Sequence, residues 1–242
     1  MLNVLIACEE SQRVCIEMRK LGHRAFSCDI LPCSGGHPEW HIQGDVLPLL
    51  NGDCTFQTAD THTHTQRGQW DLIIAHPPCT YLTVMGNRWF DVQKYGEKAQ
   101  ERYKERYKAI VFFTQLASAN AHYVALENPI GIMSTAYGKP QQIIQPYMFG
   151  DPYEKKTALW LKNLPLLQPC NEVEPPERVK FDSGKSMPSW YAEAWHLPKD
   201  ERSKLRSKTF PGIARAMAEQ WTSYIENGET EENQISLFKE DT

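Results

Sequence analysis

Apolar and polar positions alternate in blocks along this chain. An apolar run at residues 3–7 (NVLIA) stops at Cys8-Glu9-Glu10. The next stretch sets Val14, Ile16, Met18 and Leu21 among charges, the pattern of an amphipathic helix that Gly22 closes. Residues 24–28 (RAFSC) predict a second strand ending at Asp29, and residues 41–46 (HIQGDV) a short third strand. The polar stretch 51–68, with its THTHTQ, predicts an insertion or loop. Trp70 to Ala75 (WDLIIA) predicts a buried strand that runs straight into HPPCTYLT. Residues 97–119 predict a long amphipathic helix whose mixed-charge first half, 97–108, faces solvent. Residues 122–126 predict a strand ending at Glu127-Asn128-Pro129, and residues 157–161 a further one. Residues 165–208 are rich in proline and charge and have no period. Residues 211–225 start on proline and carry Ile213, Met217, Trp221 and Ile225 on one helical face. Strands alternating with helices predict an α/β fold, a Rossmann-like, mostly parallel sheet with helices on both faces.

Length and charge narrow this picture. A chain of 242 residues fills one core well. The net charge of −4 is uneven: residues 226–242 carry six acids against one lysine, which leaves the body near neutral at +1. That acidic segment is poor in aromatics and predicts a disordered tail. The 7 cysteines include no CxxC pair, so free thiols in a reducing compartment are expected. No apolar run is long enough for a bilayer, and the first residues lack the pattern of a signal peptide, so a cytoplasmic protein is expected.

Candidate chemistry falls at the strand ends. Glu9, Asp29, Asp45, Cys79 and Glu127 each follow an apolar strand, and the carboxyl ends of a doubly wound sheet line one crevice. Asp29 suits ribose hydroxyls. Asp45 suits an adenine amino group, with Ile30 and Val46 flanking the ring. The plainer alternative makes both aspartates turn or cap residues. The exit of the first strand, Ala7-Cys8-Glu9-Glu10, has no GxGxxG, which argues against NAD, FAD and ATP. It suits a cationic or zwitterionic ligand, such as a sulfonium with an amino acid tail, met by Glu9 or Glu10; stabilisation of a helix dipole is the alternative. Pro77 and Pro78 stiffen the turn before Cys79, whose thiolate is then a candidate nucleophile rather than a buried structural cysteine. Glu127, shielded in a crevice, is a candidate general acid with a raised pKa, or else an ordinary solvated glutamate. His76 is expected near the ligand. His62 and His64 alternate as ligands on a strand do, but no third ligand is evident and no metal is expected. Trp89, Trp160, Trp190 and Trp195 are candidates for base stacking or for packing.

Pro78-Cys79 and Glu127-Asn128-Pro129 resemble the PC and ENV motifs of the DNA (cytosine-5) methyltransferases. Gly44-Asp45-Val46 is similar to that family's third motif, and Asp29 falls at its acidic ribose position. The run from Lys208 to Trp221 sits where the family's last helix returns beside the cofactor. The resemblance covers most of 2–161 and 208–225 and is to a compact, phage-type branch. It implies an S-adenosylmethionine-dependent methyltransferase fold and methyl transfer to carbon 5 of cytosine in DNA. By the same resemblance Cys79, Glu127 and Asn128 are catalytic. Ala7, Cys8, Glu9, Glu10, Asp29, Ile30, Asp45, Val46, His76, Pro77 and Pro78 surround the cofactor, and Thr80, Lys155 and Lys156 meet the substrate. It divides the chain into a catalytic core (1–164), a small recognition-like insertion (165–207), a returning helix (208–225) and the acidic tail (226–242).

The chain departs from the pattern in several places. It has ACEES where the family has glycines, ENP for ENV, and Lys155 and Lys156 where arginines are usual. Lys199, Arg202, Lys204, Arg206 and Lys208 predict either a phosphate-binding surface or a solvated helix face. A free pyrimidine nucleotide, a single strand or an exocyclic amine stays open as acceptor, as does a catalytically silent binding module. Host self-protection and phage genome modification both fit as purposes. A monomer is the simpler expectation.

Overall fold

The computed structural model describes residues 1–198, 201–202 and 209–228. Its strands are β1 (Asn3–Ala7), β2 (Arg24–Asp29), β3 (His41–Gln43), β4 (Cys54–Gln57), β5 (Thr63–Gln66), β6 (Trp70–Ala75), β7 (Ala121–Pro129), β8 (Gln142–Ile144), β9 (Thr157–Lys162), β10 (Arg178–Lys180) and β11 (Ser186–Pro188). Seven of them form the central sheet, in the order β3-β2-β1-β6-β7-β9-β8. The first five in that order are parallel, and β9 runs antiparallel to both of its neighbours. This is the mostly parallel sheet that the alternating pattern predicts. The strand order reverses between β1 and β6, the switch point where a doubly wound sheet opens its ligand crevice.

Helices α1 (Arg13–Lys20), α2 (Val92–Tyr95), α3 (Glu97–Ala117), α4 (Met133–Ala136), α5 (Ser189–Glu193) and α6 (Pro211–Asn227) accompany the strands. Successive strand residues point to opposite faces, so each strand feeds two cores. Val4, Ile6, Leu72, Ile74 and Ala125 pack with Val14, Cys15 and Met18 of α1 and with Ile213, Met217 and Trp221 of α6. Leu5, Ala7, Ile73, Ala75 and Val124 pack on the other face with Phe113 and Leu116 of α3. The apolar face predicted for α6 is thus the buried one. In α1 the buried residues are Val14, Cys15 and Met18, while Leu21 is exposed, so the predicted face is rotated by about one position.

Several boundaries differ from expectation. Residues 54–66 are a hairpin of β4 and β5 rather than a loop, closed on the core by Phe56 and His64 against Phe26. Strand β3 stops at Gln43. Strand β7 runs through Glu127, Asn128 and Pro129, because β9 pairs with it as far as Pro129↔Thr157. Helix α6 continues through Glu226 to Asn227. Lys199, Lys204, Arg206, Lys208 and the tail from residue 229 lie outside the described residues. Among the described residues no helix is long and apolar enough to cross a membrane.

Candidate active site

Register decides which side chains meet at the sheet edge. Ala7 pairs with Cys28 and with Ala75, and Ala75 with Leu126. The next residue of each strand therefore falls in one row across the sheet: Asp29, Cys8, His76 and Glu127. The backbone extends the pairing past the strands, with His76 N–H donating to the Ala7 carbonyl at 2.9 Å and Glu9 N–H to that of Cys28 at 3.2 Å.

On the β6–β7 side, the His76 Nδ1–H donates to Glu127 Oε2 at 3.0 Å, with both side chains at most 9% exposed. Burial pushes a lone carboxyl up, but the hydrogen bond from His76 and the charges of Lys155 and His76 outweigh it and hold Glu127 below the usual carboxylate range. This corrects the raised value expected for Glu127. Burial likewise opposes charge on His76, yet the bond to Glu127 and the charges of Glu127 and Glu9 raise it above an ordinary histidine. In this buried pair each partner favours the charged form of the other. Asn128, 1% exposed, donates through Nδ2 to the Pro77 carbonyl at 2.6 Å and so clamps the Pro-Pro turn that carries Cys79. His76 Nε2 and Asn128 Oδ1 are buried and meet no partner among the described residues.

Cys79 is half-buried, and its carbonyl accepts from the amides of Leu82 and Thr83 at 3.0 and 3.1 Å, which closes a turn around it. The segment beyond that turn is stapled to the one beyond β7. Thr83 bridges Gly131, Ile132 N–H donates to the Leu82 carbonyl at 2.8 Å, and Val84 N–H to that of Ile130 at 3.3 Å. A Cβ on Gly131 would lie 1.9 Å from the Leu82 oxygen, so only glycine allows this approach. Sequence reading missed Gly131; its place just after the ENP run was the available signal. Thr80 is exposed, Lys156 is exposed, and Lys155 is half-buried with Nζ 5.8 Å from the Phe210 ring.

The β1–β3 side is acceptor-rich. Glu9 is buried, and its two oxygens accept from Val14 N–H at 2.7 Å and Cys15 N–H at 3.2 Å. It caps α1, as the dipole alternative expects, and burial pushes its carboxyl up. Asp29 Oδ1 accepts from Leu31 N–H and Asp45 Oδ1 from Leu47 N–H, at 2.9 and 3.0 Å, so each aspartate uses one oxygen for its own turn. Ile30 is 74% exposed and Val46 buried. The glycine-free exit works by leaving two non-glycine residues, Cys8 (φ 60°) and Gln12 (φ 56°), in left-handed backbone. Gln12 is fixed there by His37, accepting its N–H at 3.1 Å and donating to its carbonyl at 2.8 Å.

Other candidates have structural partners. His62 bonds Asp60 at 2.8 Å, His64 stacks on Phe56, and among the described residues no three His, Cys, Asp or Glu side chains gather as a metal site. Trp160 and Trp190 are buried, while Trp89 and Trp195 are exposed. Arg202 lies 5.8 Å from the Trp195 ring.

No protein-family model matches the chain, and no curated protein matches it. Solved structures do. One is a candidate DNA modification methyltransferase encoded within an E. coli prophage, matched over 82% of this chain and 56% of that one, at 15% identity and a TM-score of 0.40. The chain thus spans a little over half of that neighbour's length.

Proposed function

We propose that the protein transfers methyl from S-adenosylmethionine to carbon 5 of cytosine in DNA through a covalent bond to Cys79. The observation that carries this is the joining of the Cys79 turn to the Glu127-Asn128-Pro129 run, by Asn128 on the Pro77 carbonyl and by the Thr83–Gly131 bridge. The turn that bears the thiol and the strand end that bears the carboxyl are thereby tied together, which supports a nucleophile and a proton-handling group acting on one base.

The crevice also suits the cofactor. Glu9 already fills the amides that would hold a phosphate, and Glu10, Asp29 and Asp45 give the β1–β3 side a negative character. That donor set opposes a pyrophosphate and favours a cation with hydroxyl and amino donors. Asp29 and Asp45 would hold the ribose and adenine, and Glu10 the cationic end. S-adenosylmethionine, when bound, supplies a methyl group activated on a sulfonium.

The residues then divide the work. Carbon 5 of cytosine is not nucleophilic until the Cys79 thiolate adds to carbon 6. Glu127 protonates ring nitrogen 3 as charge develops there; once carbon 5 is substituted, a base removes its proton, nitrogen 3 gives its proton back and the thiolate leaves carbon 6. Asn128 keeps the turn in place, and Lys155 and Lys156 offer cations to phosphate. In duplex DNA the base must leave the stack.

The test is incubation with labelled S-adenosylmethionine and DNA containing 5-fluorocytosine. Wild type is expected to form an adduct that survives denaturation, and Cys79→Ser none. An adduct in Cys79→Ser, or none in wild type while cofactor binds, overturns the mechanism; the latter moves the weight to another acceptor or to a silent binding module.

A further inference from the structure

We propose that His76 is a positioning residue that stores the proton Glu127 delivers to the target base; the inference rests on the cytosine reading above. A carboxylate cannot protonate nitrogen 3, so an anionic Glu127 has to be recharged from a neighbour. His76 Nδ1, 3.0 Å from Oε2, is in place to do so. The backbone at the ring is fixed by the His76 amide on Ala7 and by Asn128 on the Pro77 carbonyl, and the side chain is 9% exposed. Its Nε2 is buried without a partner among the described residues, so Glu127 is the only acceptor found there for an imidazolium proton. The titratable groups facing the pair from the packed elements are Glu9, after β1, and Lys155, before β9, with Glu10 acting on Glu9. Glu9 favours a proton on His76 and Lys155 opposes it.

The step balances within the chain and the base. The Cys79 thiolate bonds to carbon 6, the carbon 5–carbon 6 π pair becomes a carbon 4–carbon 5 double bond, and the carbon 4–nitrogen 3 π pair moves onto nitrogen 3. Nitrogen 3 takes a proton from Glu127, and Glu127 takes the Nδ1 proton, leaving His76 neutral. Elimination runs the path backward: nitrogen 3 returns its proton to Glu127, His76 is recharged, and the thiolate leaves.

Addition and elimination can be read without methyl transfer. While the adduct stands, carbon 5 is enamine-like and takes a proton from water. Water acting as base then removes the triton from carbon 5 before the thiolate leaves, so DNA tritiated at carbon 5 of cytosine, incubated with protein and no cofactor, releases tritium from each adduct that exchanges. Wild-type release is expected to fall as pH rises through the titration of His76, followed in parallel by the NMR shift of its ring protons. His76→Gln keeps a hydrogen-bond donor but no transferable proton. It is expected to lose that alkaline limb and about 100-fold or more of the rate, with DNA affinity unchanged. Retention of the limb in His76→Gln, at full or reduced rate, overturns the relay. A wild-type His76 that titrates as a free histidine overturns it while leaving the cytosine reading standing. No release by wild type at any pH overturns both. Should His76→Gln not fold, Glu127→Gln serves: His76 should then titrate below an ordinary histidine, and an unmoved titration overturns the proposal.

Discussion

A buried acid beside a buried base has a stability signature in pH. His76 is raised from 6.5, so its contribution is complete below 6.5 and lost as pH rises through its folded value. Glu127 is lowered from 4.5, so its contribution is complete above 4.5 and lost as pH falls through its folded value. Between 4.5 and 6.5 both are present. The melting temperature of wild type should exceed that of Glu127→Gln most in this window, and the gap should shrink toward alkaline pH; a gap constant from pH 5 to 9 would contradict the pair. The cysteines give a second residue-scale test. Burial pushes Cys8 and Cys15 far above a normal thiol and Cys28 up to about 12. Native alkylation at pH 8, read by mass spectrometry, should spare these three and modify the half-exposed Cys79. Strand ends were legible in the sequence because apolar runs end abruptly at Cys8, Asp29 and His76. The His76–Glu127 pair was not: it exists only through the register of β6 on β7, and nothing local to either residue encodes that register. The bonds of Glu9 to α1 were hidden for the same reason, since its partners are amides several residues on.

At the scale of elements, periodicity found the strands and long helices, and close approaches escaped it. Gly131 is one and Gly212 another. A Cβ on Gly212 would sit 1.9 Å from the Phe149 carbonyl oxygen, and its amide donates to Asp151 Oδ2 at 2.7 Å, which seats the start of α6. Glycines without such contacts look the same in sequence. Gly131→Ala should therefore break the staple between the segment after the Cys79 turn and the one after β7, and cost about 3 kcal/mol or more, by the overlap of backbone atoms. Gly44→Ala, with open space around it and ordinary φ, should leave stability unchanged. Thermal melting of the two variants checks both statements, and equal losses would remove the staple from the account. The polar 54–66 hairpin was unreadable as strands because its outward face is threonine and glutamine, and its inward face mixes Cys54 and Phe56 with the polar His64 and Gln66.

Over the whole molecule, one sheet organises everything up to β9, and α6 returns to cover its α1 face. The region between them contains the β10–β11 hairpin and α5. Residues 165–173 belong to the core through buried Leu167, paired with Gln142, and through the amides of Cys170 and Val173 on the carbonyls of Met148 and Tyr147. The β10–β11 hairpin and α5 are held by Trp190, whose Nε1–H donates to the Glu154 carbonyl at 3.3 Å and whose ring meets Tyr153 and Phe210, by Tyr191 on Met85 and by an ion pair of Arg178 with Glu154. So slender an attachment predicts separable stability. Trp190→Ala should open residues 174–198 to limited proteolysis while the main melting transition stays in place; loss of that transition would mean that this region and the sheet unfold together. Such a division was only partly legible, as a stretch of proline and charge without period. Glu9 has a consequence at this scale as well. By laying its own carboxylate across the α1 amides, the chain carries a permanent stand-in for a phosphate at the spot where doubly wound sheets hold one. The protein should therefore work undisturbed amid millimolar nucleoside triphosphates, and calorimetric titration with ATP should give no binding heat.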